Sequence, residues 1–200
     1  MGRIFYLMGK SASGKDSIYR ELLGQFPFEK IIMYTTRPMR QGEKHGVQYY
    51  FTDEAEYQKL CEAGKVIESR CYQTVHGPWI YYTVDNGMVN KESSVNYLVI
   101  GTLESYEKMK AYYGEDLLVP LYIEVEDGER LMRALKREMQ EENPRYSELC
   151  RRFLADEADF SKERLQEAGL SRRFENRMME DCLRALKEFI ELNWKIASGN

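Results

Sequence analysis

Short apolar runs alternate with helically spaced stripes along this chain. Arg3-Ile-Phe-Tyr-Leu-Met8 is rich in strand formers and opens into a glycine-bearing loop. From Lys15 the spacing turns helical, with Ile18 and Leu22 four apart and Tyr19 and Leu23 beside them, until Gly24 and Pro27 stop it. Ile31-Ile32-Met33 reads as a second strand. A helix is expected from Asp53, with Glu56 as its capping-box partner and Gly64 as its end. Aromatic and β-branched residues from Val66 to Val84, broken by His76-Gly77-Pro78, predict two strands joined by a turn. Tyr97–Ile100 and Leu118–Val125 are continuous apolar runs, as expected of strands covered on both faces. A helix follows each. The second is expected to be capped by Asp127, with Leu131, Leu135 and Met139 packing into the core. The stretch from Glu141 to Ser171 is highly charged and helical around Pro144 and reads as a mobile flap. Asp181 to Trp194 predicts a last amphipathic helix, with Leu183, Leu186 and Ile190 on one face.

Strands alternating with helices predict an α/β fold with a mostly parallel central sheet flanked by helices. The region from Tyr34 to Thr83 breaks the alternation, as a strand-rich insert would. One domain is expected over the 200 residues: a core of 1–33, 84–140 and 172–196, an insert of 34–83 and a helical lid of 141–171. Composition changes this picture little. Hydrophobic residues at 43% and charged residues at 31% argue against disorder, and a net charge of −4 argues against broad nucleic-acid binding. No apolar run approaches the roughly 20 residues of a membrane span, and no signal-peptide pattern follows Met1, so a cytoplasmic location is expected. Cys61, Cys71, Cys150 and Cys182 lack metal-ligand spacing and read as reduced, partly buried thiols. His45 and His76 are isolated, and no metal role is expected of them.

Chemistry enters with Gly9-Lys10-Ser11-Ala12-Ser13-Gly14-Lys15, a G-x-x-x-x-G-K run between a strand and a helix. Its glycines let backbone N–H groups turn inward onto phosphate oxygens, the helix N-terminus adds partial positive charge, and Lys15 is placed to reach the β- and γ-phosphates of ATP. Asp16 stands where Ser or Thr usually holds Mg²⁺, with Ser17 one later. Its carboxylate is either a direct or water-mediated Mg²⁺ ligand or a helix-start carboxylate favoured by the dipole.

Beyond this loop, Tyr34-Thr-Thr-Arg37-Pro-Met-Arg40-Gln-Gly42-Glu43 precedes Gly46 and Tyr49-Tyr50-Phe51. Arg37 and Arg40, beside a proline-fixed turn, are able to clamp a phosphate dianion. With Val66-Ile67-Glu68 and Tyr81-Tyr82-Thr83, these runs resemble the guanylate kinase family in order and spacing over nearly the whole chain. The resemblance implies a P-loop kinase fold and transfer of the ATP γ-phosphoryl group to GMP, with Mg²⁺. It implies that Arg37, Arg40, Tyr49 and Tyr81 hold the GMP phosphate. Glu68 would accept from the guanine N1 and N2 hydrogens, and Thr83, in place of a family serine, would lie near the base. The ATP contacts would be residues 9–17 and Asn176, the latter near the adenine. Arg133, Arg137 and Arg152 are candidates for catalytic lid arginines alongside Lys15, Arg37 and Arg40. The implied partners are small nucleotides, with no nucleic acid and no membrane, for a monomer or homodimer.

Two departures bear on base recognition. Met33 aligns with a family serine that contacts guanine, and Leu98-Val-Ile-Gly101-Thr102 aligns with a stretch that usually ends in aspartates. Two other readings stay open. Gly14-Lys-Asp-Ser17 and Gly101 also resemble ribose 1,5-bisphosphate phosphokinase, which lacks the paired-arginine run and a counterpart of Glu68. Some guanylate-kinase-like domains are non-catalytic modules that bind phosphorylated peptides, but they have lost P-loop residues that Gly14 and Lys15 retain here.

Overall fold

The computed structural model describes residues 1–74 and 77–198. In chain order the elements are β1 (Ile4–Met8), α1 (Lys15–Gln25), β2 (Glu29–Lys30), β3 (Tyr34–Thr35), β4 (Tyr50–Phe51), α2 (Glu54–Glu62), β5 (Val66–Thr74) and β6 (Gly77–Val84). There follow β7 (Tyr97–Gly101), α3 (Leu103–Tyr113), β8 (Leu118–Glu124), α4 (Asp127–Glu138), α5 (Tyr146–Asp159), α6 (Lys162–Glu167), β9 (Phe174–Glu175) and α7 (Met179–Ser198). The central sheet has the order β2-β7-β1-β8-β9 and is parallel throughout. A second, mixed sheet, β4-β3-β6-β5, is drawn from Tyr34 to Val84.

β1 is buried along its whole length, and its side chains alternate between two cores. Ile4, Tyr6 and Met8 meet Leu103, Tyr106 and Met109 of α3 on one face. Phe5 and Leu7 meet Ile18 and Leu22 of α1 and Leu186 and Ile190 of α7 on the other. Burial on both faces is why the central strands read as unbroken apolar runs. Pro120 interrupts β8 without harm, because β8 pairs with β9 only at Ile123 and Glu124.

Several sequence expectations are corrected. Ile31–Met33 is not a strand: pairing with β7 is carried by Glu29 and Lys30 and ends with the Ile31 amide donating to the Leu98 carbonyl at 3.1 Å. The chain then crosses to the second sheet, where the Met33 carbonyl accepts from the Tyr50 amide. The cap of α4 is Glu126, not Asp127; its carboxylate accepts from the Glu129 amide at 2.9 Å. Leu131, Leu135 and Met139 do not pack into the core but are exposed, because the inward face of α4 lies one residue earlier and is charged, carrying Arg130 and Glu138. The segment 141–171 is not simply a flap: Phe160, Leu165, Ala168 and Leu170 enter the core, with Phe160 stacked on Tyr122. Cys61, Cys71 and Cys150 are exposed and only Cys182 is buried. Of the turn expected at His76-Gly77-Pro78, His76 lies outside the described residues, and Gly77 and Pro78 already belong to β6. As expected, the Asp53 side chain caps α2 by accepting from the Glu56 amide. No helix among the described residues is long and apolar enough to cross a membrane.

The glycine at 101 has a steric cause. A Cβ there would lie 2.0 Å from the Tyr6 Oη and 2.8 Å from the ring carbon that bears it. Tyr6 is wholly buried, and its hydroxyl donates to the Thr102 carbonyl at 3.2 Å, so the ring has nowhere to retreat. Burial pushes its phenol pKa well above the ordinary value, which keeps it a donor. Gly101→Ala is therefore expected to destabilise the fold by about 1–3 kcal/mol in urea unfolding, with partial recovery in Tyr6→Phe/Gly101→Ala. A Gly101→Ala protein as stable as its parent would sink this account.

Candidate active site

The loop from Gly9 to Gly14 leaves the C-terminal end of β1 and feeds α1. Two of its residues occupy the left-handed region: Gly14 at φ 85°, directly before α1, and Ala12 at φ 61°. For alanine that conformation is strained by roughly 1–2 kcal/mol, and such strain persists where the surroundings enforce it. Space excludes side chains at both ends of the loop. A Cβ on Gly9 would lie 2.6 Å from the Ile123 carbonyl, and one on Gly14 would lie 2.5 Å from the Asn176 amide nitrogen. Asn176, expected near adenine, is buried beneath the loop and braces it: its Nδ2 donates to the Ser13 carbonyl at 2.8 Å.

The two lysines of the loop differ. Lys10 Nζ is held by Glu157 at 2.6 Å and Asp127 at 3.3 Å, whereas Lys15 has no carboxylate partner among the described residues. Asp16 is exposed in the first turn of α1, and Ser17 receives a hydrogen bond from Arg20.

The α5 helix presses on the loop from above. Asp156 accepts from the Ser11 amide at 2.8 Å and from Arg130 Nη1 at 3.2 Å. Arg130, only 1% exposed, also donates to Ser11 O, Asp127 and Glu157 and lies over the Phe153 ring. Burial raises the Asp127 pKa, but Arg130 and Lys10 together outweigh it and hold the carboxyl below its ordinary value. Arg130 escaped the sequence reading, which singled out only the Leu131, Leu135 and Met139 stripe and the later arginines of this helix. The three arginines singled out from the sequence are placed differently. Arg137 and Arg152 line a small cleft with Ser11, Arg130 and Phe153, while Arg133 turns away to the carbonyls of Asn176 and Arg177.

Facing the loop, the second sheet gathers the acceptor-side candidates. Arg37 is buried and paired in a bidentate manner with Glu43, at 3.0 and 2.8 Å, and its Nη1 donates to the Pro38 carbonyl. The pairing with Arg37 holds the Glu43 carboxyl below its ordinary value. Arg37 stands 5.7 Å from the Tyr49 ring centre, Tyr49 packs edge-on to Tyr81 at 5.6 Å, and Tyr81 meets Tyr72. Arg40 is exposed, and its amide donates to Glu43. The Tyr49 phenol pKa is raised by burial first and by Tyr81; Arg70 and Arg37 oppose the shift, and Asp16 adds to it.

At the far end of the second sheet lies a buried polar network. The Thr83 hydroxyl donates to Glu68 Oε1 at 2.7 Å, and Arg70 donates through Nε to Glu68 Oε2 at 3.2 Å. Arg70 Nη1 donates to the Thr102 hydroxyl at 2.9 Å, and Nη2 reaches the Met33 sulfur at 3.7 Å. Arg70 was also missed. The signal for it was strand alternation, which puts residues 68 and 70 on the same face of β5.

Comparison with known proteins agrees with this architecture. The family model for guanylate kinase matches residues 1–193. The chain is 36% identical over 81 residues to the guanylate kinase of Haemophilus ducreyi, covering 38% of this chain and 39% of that protein. It is 26% identical over 143 residues to that of Mycoplasma genitalium, covering 70% and 58%, and 27% identical over 162 residues to that of Chlamydia felis, covering 80% and 76%. With the first of these relatives the match thus spans well under two thirds of the relative's own length. The crystal structure of guanylate kinase from Anaplasma phagocytophilum superposes with a TM-score of 0.66 at 21% identity, over 96% of this chain and 86% of that one, a likeness of fold. Because the family model runs through both sheets and all seven helices to residue 193, the chain belongs to the guanylate kinase family.

Proposed function

We propose that this chain is a cytoplasmic, ATP-dependent nucleoside monophosphate kinase that transfers the γ-phosphoryl group of ATP to GMP, giving ADP and GDP. One observation carries the reading. Four buried side-chain polar atoms lack a hydrogen-bond partner among the described residues: Ser13 Oγ, Arg37 Nε, Ser105 Oγ and Arg152 Nε. Buried polar groups in native proteins are nearly always paired, so orphans mark positions that a ligand completes. Two of the four, Ser13 Oγ and Arg37 Nε, fall on the phosphate loop and the acceptor arginine, whereas Arg152 Nε lies 3.5 Å from Glu148.

In this scheme the loop amides from Gly9 to Gly14 and Lys15 hold the donor phosphates, and Asn176 keeps the loop in shape from below. Arg37, Arg40, Tyr49 and Tyr81 hold the acceptor phosphate in line. An acceptor phosphate oxygen forms a bond to the γ-phosphorus as the bond to the β-bridging oxygen breaks, and ADP leaves. Charge builds on the transferring group, which Lys15, Arg137 and Arg152 are placed to offset. Arg133, turned toward Asn176 and Arg177, supports the donor side. The segments 34–83 and 141–171 act as acceptor-binding insert and lid, and their closure excludes water that would otherwise hydrolyse ATP.

A hard cation fits the donor site as an ion held chiefly by phosphate oxygens. No group of three His, Cys, Asp or Glu side chains able to hold a metal exists among the described residues, and Asp16 offers one exposed carboxylate at the right turn. Bound there, Mg²⁺ would polarise the phosphoryl oxygens and neutralise developing charge.

The test is ADP formation from Mg-ATP with GMP, dGMP, IMP, AMP, UMP, CMP and ribose 1,5-bisphosphate in turn. Turnover is expected with GMP. Turnover with the sugar bisphosphate alone would replace this reading by a sugar phosphate kinase, and ATP binding without any turnover by a phosphopeptide-binding module. Lys15→Met is expected to lower kcat by a factor on the order of a thousand while leaving the unfolding transition in place; near-normal turnover would refute the role of Lys15.

Acid gives a further check on the arginine clamp. The Glu43 pKa lies below its ordinary value of 4.5, so the stability it contributes is complete above that value and is lost as pH falls through the lowered one. As pH falls from above 4.5 through the lowered value, the parent is therefore expected to lose this increment and Glu43→Gln is not. Parallel acid profiles for the two proteins would show that the pair adds nothing.

A further inference from the structure

The phosphate loop holds an anion that belongs to its own chain. The Asp156 carboxylate accepts from the Ser11 amide at 2.8 Å and, through the same Oδ2, from Arg130 Nη1 at 3.2 Å. Its neighbour Glu157 accepts from Lys10 Nζ and from Arg130 Nη2, each at 2.6 Å. One face of α5 makes all these contacts. Leu149, Phe153, Asp156 and Glu157 follow at helical spacing, with Leu149 buried and the Phe153 ring 4.3 Å from the Arg130 guanidinium. The Asp156 side chain is only 15% exposed, so its hold on the loop is part of a packed surface.

A backbone amide has one hydrogen to give. If the loop binds the donor, the Ser11 hydrogen goes to a phosphate oxygen, and Asp156 competes with that phosphate. The position of Ser11 says which phosphate it is. Ser11 lies on the strand side of the loop, ahead of Gly14, and the amides that open α1 come after it. It also shares a small cleft with Arg137 and Arg152, the arginines placed to offset charge on the transferring group. The amide that Asp156 takes therefore lies at the γ end of the donor. Charge points the same way. Asp127, Asp156 and Glu157 are paired with Lys10 and Arg130 alone, which leaves an excess of negative charge where the terminal phosphate would enter.

We propose that Asp156 is an internal competitor of the donor's γ-phosphate. With its carboxylate on the Ser11 amide, the loop still takes a nucleoside diphosphate, whereas a triphosphate binds only by displacing Asp156. The displaced carboxylate keeps Arg130 as its partner, so it does not withdraw unpaired. Asp156 thus sets the balance between ATP and ADP, and α5 stays latched to the loop until a γ-phosphate takes the Ser11 amide. This rests on the reading of the loop as the ATP site.

Calorimetric titration with Mg-ATP and with Mg-ADP, without acceptor, tests the inference, and GMP-dependent ADP formation by the same proteins tests the reading beneath it. Asp156→Ala is expected to tighten ATP on the order of tenfold and ADP by no more than about threefold, the share that loss of a nearby charge gives. Asp156→Asn, which keeps the shape and a neutral acceptor for the Ser11 amide, should give a smaller gain of the same sign. Both variants should unfold at lower urea than the parent, because Arg130 loses a partner. A residue that only braced the loop would lose stability and ATP affinity together. An ATP-to-ADP Kd ratio unchanged in both variants, or ATP binding weakened in either folded variant, would overturn the inference whatever the turnover. A selective gain in ATP binding with no turnover on GMP would overturn the kinase reading and leave this one standing. ATP binding by none of the three proteins would overturn both.

Discussion

Everything in the molecule depends on the immobility of β1. It is hydrogen-bonded to a parallel strand on each edge and covered by a helical layer on each face, so its five side chains have no solvent side and no slack in register. A one-residue slip would exchange the residues that meet α3 for those that meet α1 and α7. The phosphate loop inherits this fixity, since it starts where β1 ends and is pinned again at Ser13 by Asn176, which follows β9 on the far side of β8. Backbone donors that must converge on one anion need a frame of this kind, because no side chain is available to adjust them.

Around that frame the protein buries charge in pairs. Arg130 sits among Asp127, Asp156 and Glu157, and Arg70 sits against Glu68. Such pairs add little net stability once desolvation is counted, yet removing one partner leaves a buried charge uncompensated, at about 3–5 kcal/mol. Their value is directional. Each fixes a planar guanidinium, and each ties a segment distant in sequence, α5 or β5, to the elements that carry the phosphate loop and α3.

The parts legible in the sequence were those set by local rules. The G-x-x-x-x-G-K run sits between a strand and a helix, the continuous apolar runs are the buried parallel strands, and Asp53 with Glu56 opens α2. What stayed hidden was set by tertiary choice. Periodicity at Leu131, Leu135 and Met139 marked an amphipathic helix correctly but not which side faces in, because the inward side of α4 is anchored by Arg130 and Glu138 rather than by apolar groups. Arg70 went unread in the sequence, and its burial becomes evident only from its pairing with Glu68 and Thr102. The same holds for the absent carboxylate at position 101, which looked like a simple loss until the Tyr6 ring was found in its space.

That last contact makes positions 6 and 101 an ordered pair in any history of substitutions. A side chain at 101 crowds the present tyrosine at 6, so a lineage acquiring an aspartate at 101 is favoured to exchange that tyrosine for something smaller first. The intermediate then carries a void in a strand buried along its whole length. Divergence between chains with a carboxylate at this place and chains like this one therefore passes through a less stable ancestor whichever way it runs, and single-site libraries built on either background will not find the other.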